Sequence, residues 1–519
     1  MHTFTPLDFL VLVVYLLGAT ALGVWLGRGQ KDAKDYFVGN GEIPWWAILF
    51  SIVATETSAL TFISIPGLAY ISDISFLQIT LGYLIGRIVI SFTLLPLYYD
   101  GEMVTAYALL ERRFGPSTRR MASLTFMVTH VFSNSVRLFA TSIPIALILG
   151  PYVSKEWVEW ITPLSILILG LFTLVYTYHG GMRAVVWTDV LQTFVYLGGG
   201  AAALYLIGAK VDGGWSGILA QAGASGKLRV FDLYAGADKP HTLWAGIIGG
   251  GFLAMASHGT DQAIVQRLLA ASNLKDARRA LIGSGIFIIA QMALFLMIGI
   301  GLNAFYHGEV FKAPDTIFPR FILENMPSGV TGLVVAAILA TAMSSSSGAL
   351  NSLAAATLHD IYLPLTKKSA SDPGILRVSR IFTLLWAVIL VGGALLYSDK
   401  GTPVVSIALA IASFTYGGLL GGFFLGIFWP RAQQRDAMLG MATGITLMTF
   451  VVFSKQLIAW RPELGETLLG PISHIAWPWF VLIGTSITFA TGMIASYFPH
   501  SLPRPAPESV AREGHAAGE

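Results

Sequence analysis

The chain has 519 residues, of which 32 are Lys or Arg and 29 Asp or Glu; charged side chains make up 12% against 55% hydrophobic ones, and the net charge is +3. Soluble proteins carry roughly 25% charge, so a string of soluble domains is excluded, as are a disordered chain and a basic nucleic-acid binder. With a mean hydropathy of +0.68 and no cysteine for disulfides, thiolate metal sites or nucleophiles, the chain's main solvent is lipid.

A bilayer core of about 30 Å needs roughly 20 apolar residues per helix. In chain order the sequence predicts thirteen such spans, at about 7–27, 43–71, 74–98, 119–149, 157–179, 184–208, 243–266, 279–305, 328–361, 376–397, 403–429, 435–454 and 475–497. The expected class is therefore all-α, a polytopic membrane protein. No charged segment precedes the first span, so Leu7 to Leu26 reads as a retained helix and not a signal peptide. Residues 1–42 form a leading helix with an inner linker. Two blocks of five spans follow, 43–208 and 243–429, joined by a Gly- and Ala-rich outer segment at 209–242. Each block opens on an interrupted helix. The first interruption is Ala54-Thr55-Glu56-Thr57-Ser58; the second is Gly249-Gly250-Gly251, followed by Ser257-His258-Gly259-Thr260-Asp261. Paired interrupted helices at matching positions point to an inverted-repeat transporter. Glycines alone would equally suit close helix packing, but a glutamate inside a break favours function. Two trailing helices occupy 430–497, and the Pro- and Ala-rich stretch 498–519 reads as a disordered cytoplasmic tail.

Loop charges set the orientation. With the N-terminus outside, 20 Lys and Arg fall on the inner side (among them Arg112, Arg113, Arg183, Arg267, Arg278 and Arg279), ten on the outer side, and two within spans. The sequence thus predicts a multi-pass protein of the cell inner (plasma) membrane, N-terminus outside and C-terminus cytoplasmic.

A charge at mid-bilayer costs about 2.5–3.5 kcal/mol on insertion scales, so each needs a reason. Glu56, Arg87, Arg137 and Asp189 are the candidates. They sum to zero, so mutual neutralisation stands beside contact with a charged solute or ion. The ninth span carries Thr341-Ala342-Met343-Ser344-Ser345-Ser346-Ser347-Gly348. Membrane hydroxyls commonly bond back one turn. Sodium, however, takes several oxygens without much fixed charge, and hydroxyls plus the freed carbonyls of an unwound helix supply them. Asp189 could equally cap a helix start. His130, His179 and His258 are too scattered for a metal site and read as interior residues, while Trp45, Trp46, Trp157, Trp160, Trp477 and Trp479 form interfacial belts. No catalytic or nucleotide fingerprint is present, so an enzyme is not expected.

Four segments carry a resemblance. Tyr176-Thr177-x-x-Gly180-Gly181-x-x-Ala184-Val185-x-x-Thr188-Asp189-x-x-Gln192 is the most distinctive. With it go Ala54-Thr55-x-x-Ser58-Ala59-x-Thr61-Phe62-x-Ser64-x-Pro66-Gly67 and Gly259-Thr260-Asp261-Gln262-x-x-Val265-Gln266-Arg267. The fourth runs from Ala336 through Asn351-Ser352 to Asp360-Ile361-Tyr362. Together they resemble the sodium:solute symporter family over about residues 5–455, and most of all its bacterial sialic acid, proline and monocarboxylate carriers. The resemblance implies a LeuT-type five-plus-five inverted repeat with one leading and two trailing helices. It implies a sodium site from the carbonyls of Ala54 and Thr57 with Thr341, Ser344 and Ser345, and a second sodium at Asp189 and Ser347. At the latter a hydroxyl is expected where Gly348 stands. It further implies a solute pocket at Glu56, Ser58, Thr61, Phe76 and Arg137, with Ser257 and His258 at the second break.

The expected function is sodium-coupled symport of a small polar solute, carrying a carboxylate, by alternating access. Arg137 would grip that carboxylate, and Glu56 would either neutralise Arg137 or take an amino group. Arg87 has no counterpart in the resemblance. Expected partners are Na+, the small-molecule substrate and the lipid bilayer, with no nucleic acid and no obligate protein. The alternatives are proton coupling through Glu56 and a non-transporting membrane solute sensor, which would be expected to append a soluble signalling domain.

Overall fold

The computed structural model describes residues 4–498, except 31, 102, 155, 373, 398–403, 464 and 466–468. The expected disorder of the tail beyond Phe498 lies outside the described residues. Among them the chain is all-helical, with a single isolated bridge, Ile43 to Ala271, as its β contact. Among the described residues, seven helices are long and apolar enough to cross a membrane, or eight when one bent pair counts as a span.

Helix α1 (Pro6–Leu26) starts where Thr5 and Asp8 cap each other and Pro6 occupies the first turn. Asp8 also accepts the N–H groups of Gly329 (2.7 Å) and Gly332 (2.8 Å), tying the start of the chain to a helix more than three hundred residues away. The bent pair is α2 (Trp45–Glu56) and α3 (Ala59–Ile71), which meet at 63°. Thr57 is extended (ψ 118°), and the Ser58 N–H turns to Thr61 Oγ1 at 3.4 Å. Because that N–H would otherwise reach back to Ala54, the Ala54 carbonyl leaves the helical ladder at the break.

Helices α4 (Leu77–Phe92) and α5 (Pro116–Leu149) precede α6 (Val158–Lys210). A straight helix of 53 residues would run about 80 Å, far beyond the bilayer. Gly181 divides it, with φ 52° and ψ −149°. A Cβ there would lie 2.3 Å from the Tyr36 carbonyl oxygen, so glycine is required twice over, by dihedral and by space. The break thus falls in the gap between the fifth and sixth expected spans.

The second interrupted helix corrects an expectation. The Gly249–Gly251 run does not interrupt it: a π-turn (Ala245–Gly250) passes directly into α7 (Gly251–Gly259). Those glycines serve close packing. A Cβ on Gly82 of α4 would sit 1.9 Å from the Gly246 carbonyl oxygen, and one on Gly250 would sit 2.9 Å from that of Ile79. The break comes at Thr260-Asp261, where Asp261 caps α8 (Gln262–Leu269) by accepting the Ala263 N–H at 2.8 Å.

Helix α9 (Leu274–Phe305) leads to α10 (Val330–Ala356), whose residues from Val334 to Ala356 are all buried. This rod forms the centre: α1, α5 and α6 pack on it, as do α11 (Ile375–Leu396) and the broken pair α2 and α3. A π-turn prolongs it to Asp360, which accepts Thr105 Oγ1 (2.5 Å) and Arg119 Nε (2.7 Å). Helices α12 (Val404–Phe428), α13 (Gln434–Val452) and α14 (Trp479–Ala495) pack together beside the core.

Candidate ion and solute site

The sodium expectation falls on the first break and the middle of α10. Ser345 is 5% exposed and its hydroxyl has no hydrogen-bond partner, an orphaned oxygen in the interior that suits a cation. Ser344 Oγ donates to Asp189 Oδ1 at 2.7 Å, which leaves its lone pairs unused. Thr341 donates to the Ile338 carbonyl (2.8 Å) and Ser347 to that of Ser344 (3.0 Å), so each also keeps acceptor capacity. Across the interface, Thr57 Oγ1 accepts from Gln291 Nε2 at 2.7 Å, and Gln291 in turn accepts from Tyr196. These bonds tie the extended Thr57 at the break to α9 and α6. The donor set therefore fits sodium: hydroxyls and carbonyls, with little fixed charge.

Glu56, the last residue of α2, corrects a second expectation. Its partner is Arg87 of α4 and not Arg137: Arg87 Nη2 bonds its carboxylate, and Nη1 bonds Ser284 Oγ at 2.9 Å. His258 of α7 adds its Nε2 at 3.6 Å from the carboxylate, while its Nδ1 takes Ser257 Oγ at 2.8 Å. Arg87 is wholly buried, whereas the Glu56 side chain keeps 18% of its surface exposed. The structure thus links Glu56 to Arg87 and His258, and through His258 to Ser257. Ser58 and Thr61 lie at the start of α3 and bond one another. Phe76 stands apart. It precedes α4 with its ring edge-on to His241, and eleven helical residues place it about 16 Å from Arg87.

The Arg137 guanidinium on α5 makes no hydrogen bond to a described residue, and its buried Nε is unpartnered. One and two turns earlier on the same helix, Asn134 and His130 join another cluster. His130 Nε2 lies 2.7 Å from Asp261 Oδ2, which also accepts Tyr416 Oη at 2.6 Å.

Asp189 is wholly buried on α6. It accepts Ser51 Oγ (2.5 Å) as well as Ser344, and pairs with Arg267 Nη2 at 3.0 Å. Arg267 is also a correction: counted with the inner loops, it is 0% exposed inside α8. Two signals pointed to it. It closes one of the four resembling segments, and Gly348, where a hydroxyl was expected, leaves the room its guanidinium fills.

The sequence model of the Sodium:solute symporter family matches residues 36–444. The chain is 30% identical over 460 residues to the sodium/sialic acid symporter NanT of Aliivibrio fischeri, covering 87% of this chain and 88% of that one. It is 29% identical over 489 residues to the human sodium/iodide cotransporter, covering 90% and 71%. A solved Na+-coupled sialic acid symporter, in a substrate-bound outward-open state, superposes with a TM-score of 0.82 at 27% identity, over 95% of this chain and 98% of that one. The nucleobase-cation-symport-1 family transporter MHP1 shares the fold more distantly, with a TM-score of 0.51 at 13% identity over 89% and 94%.

Proposed function

The chain belongs to the sodium:solute symporter family, and from that premise we propose that it imports a small, carboxylate-bearing solute by symport with sodium. An acidic sugar of the sialic acid kind leads the candidates, ahead of monocarboxylates and amino acids. In this reading thirteen crossings form a five-plus-five inverted repeat with one leading and two trailing helices, in a cell inner membrane, N-terminus outside and C-terminus inside. Sodium binds at Ala54, Thr57, Thr341, Ser344 and Ser345, completes the first break and favours the state that takes solute. Rocking of a bundle made of the two broken helices and α4 against the rest then releases both on the inner side.

One observation carries the solute class. Of the three membrane-embedded guanidiniums Arg87, Arg137 and Arg267, two already face a carboxylate, and Arg137 has none among the described residues. Arg137 is partly buried, with its Nε enclosed and unpartnered; an unpaired guanidinium there is costly, and a solute carboxylate offers the missing bidentate partner. The Glu56 oxygen not bound to Arg87 is free to accept a solute hydroxyl or amine. Proton coupling through Glu56 would need that carboxyl to become neutral within the cycle, against the pull of Arg87.

Uptake of labelled N-acetylneuraminate, lactate and alanine into proteoliposomes tests the proposal. A sodium gradient should drive uptake of at least one of them, and Arg137→Ala should abolish it. Uptake equal in sodium and potassium, or driven by a pH gradient without sodium, would overturn the coupling. Full uptake in Arg137→Ala would overturn the carboxylate grip.

A further inference from the structure

Asp189 joins four elements at one buried point. Its Oδ1 takes the hydroxyl of Ser344 on α10 at 2.7 Å; its Oδ2 takes the hydroxyl of Ser51 on α2 at 2.5 Å and Nη2 of Arg267 on α8 at 3.0 Å. Arg267 closes the ring, since its Nε donates to Ser51 Oγ at 2.8 Å and its Nη1 to the Ala263 carbonyl at 2.6 Å. An ionised carboxylate only accepts hydrogen bonds, and a serine hydroxyl has one hydrogen to give. The Ser344 hydrogen is therefore pinned toward Asp189, and both remaining electron pairs on its oxygen point elsewhere. Arg267 meets the charge on Asp189 in full. It can reach that position because residue 348 is glycine: a Cβ there would lie 2.7 Å from Nη2 and 3.1 Å from Nη1.

We infer that Asp189 is a positioning residue for the sodium site and not itself an ion ligand, acting through Ser344, with Arg267 as the built-in cation that takes the place of a second sodium. The inference rests on the sodium-coupled reading above. A carboxylate behind a ligand fixes the ligand's hydrogen and raises the electron density on its oxygen. Neutralised by Arg267, the same carboxylate does not draw the ion away from the hydroxyls and carbonyls. The coupling ratio that follows is one sodium per solute.

Asp189→Asn is the informative change. With Arg267 in place, the amide oxygen must face the guanidinium and Ser51, so the amide nitrogen turns to Ser344 and donates to its oxygen. That consumes an electron pair the ion would use. Sodium titrations of solute uptake by the full chain in proteoliposomes should show a Hill coefficient near one in the unmodified protein. In Asp189→Asn the half-saturating sodium should rise by about 10- to 100-fold, the usual range for loss of a group that orients a metal ligand. The Hill coefficient should not change, nor should the half-saturating solute measured at saturating sodium. Asp189→Asn combined with Arg267→Gln removes both charges and serves if the single variant does not fold. It should keep a raised sodium requirement, because a neutral amide accepts the Ser344 hydrogen more weakly than a carboxylate and adds little electron density to its oxygen, whereas a purely structural ion pair would be restored to unmodified behaviour. A Hill coefficient near two that falls to one in Asp189→Asn would show that Asp189 binds an ion directly and overturn the inference. An unchanged half-saturating sodium in both variants would overturn it as well. Uptake indifferent to sodium in the unmodified chain would instead sink the symport reading, a distinct outcome.

Discussion

Removing the Glu56 carboxylate exposes what Arg87 has left. The guanidinium is 0% exposed, donates Nη1 to Ser284 and Nη2 to Glu56, and has no partner for Nε. In Glu56→Ala it keeps one hydrogen bond to a neutral hydroxyl and no countercharge. His258, 3.6 Å from the carboxylate, is itself a base and cannot replace it. Breaking a buried pair from one side costs about 3–5 kcal/mol, because the surviving charge stays desolvated. Glu56 retains 18% side-chain exposure, so water can enter the vacated space, which places the expected loss at the lower end, about 3 kcal/mol. Glu56→Gln keeps an oxygen for Nη2 and loses only the charge, about 2 kcal/mol. The double variant Glu56→Ala with Arg87→Met removes both charges and refills the Arg87 site with an apolar chain, so it should be more stable than Glu56→Ala alone. The assay is the thermal unfolding midpoint of each purified variant in one detergent, completed as a double-mutant cycle with Arg87→Met. Midpoints should fall in the order unmodified, Gln, Ala, with the double variant above Ala, and the cycle should return a coupling of about 1–3 kcal/mol. Strict additivity of the two single losses would refute the pairing and return Glu56 to the solute alone.

Three further outcomes are expected. Ser345→Ala removes the orphaned hydroxyl and should raise half-saturating sodium about tenfold, the worth of one hydrogen-bond-strength contact; an unchanged sodium titration would take Ser345 out of the site. Gly181→Ala forces a side chain into φ 52° with its Cβ 2.3 Å from the Tyr36 oxygen, so its unfolding midpoint should drop by more than the about 1–2 kcal/mol of left-handed strain alone, and equal stability would mean that the turn lies elsewhere. Asp8→Ala strips the caps from Thr5, Gly329 and Gly332 and should cost about 2 kcal/mol, read as a lower midpoint with the sodium dependence of uptake intact.

The helical architecture was legible because lipid leaves a backbone few choices: each apolar run must satisfy its own hydrogen bonds, and run length then predicts element length. The first break was legible too, since the hydroxyl-rich stretch from Thr55 to Thr61 offers side chains such as Thr61 Oγ1 that compete for backbone N–H groups. The second was misplaced by ten residues. Glycine signals both loosened backbone and close approach, and sequence does not separate the two. At Gly246 and Gly250 the approach of α4 decided, so the helix continued to the true break, where Asp261 rather than glycine provides the cap.

The charge network was least legible, for a physical reason. Spans are found as stretches poor in charge, so ionisable residues near their ends are assigned to loops. Arg267, one residue past the seventh expected span, was lost that way, yet it is 0% exposed. A break inside a membrane helix creates a polar interior to which such residues belong, and it can be recognised only once its partners are known. Those partners show a common pattern. Glu56 ends the first broken helix and binds Arg87 on α4; Asp261 opens the second half of the other and binds His130 on α5 and Tyr416 on α12; Arg267 lies beyond that break and binds Asp189 on α6. Each break is thus held to a different neighbour by a charged contact. If the broken helices rock with α4 as one unit, the contacts to α5, α6 and α12 must exchange during transport while those within the unit, Glu56 to Arg87 among them, persist. Cysteine cross-links should separate the two cases. A disulfide between Glu56→Cys and Arg87→Cys, measured against the corresponding paired single variants, should leave sodium binding and rocking intact, whereas one between His130→Cys and Asp261→Cys should arrest uptake until reduced. Uptake insensitive to the second cross-link would mean that α5 and α8 move together, and that the rocking surface runs elsewhere.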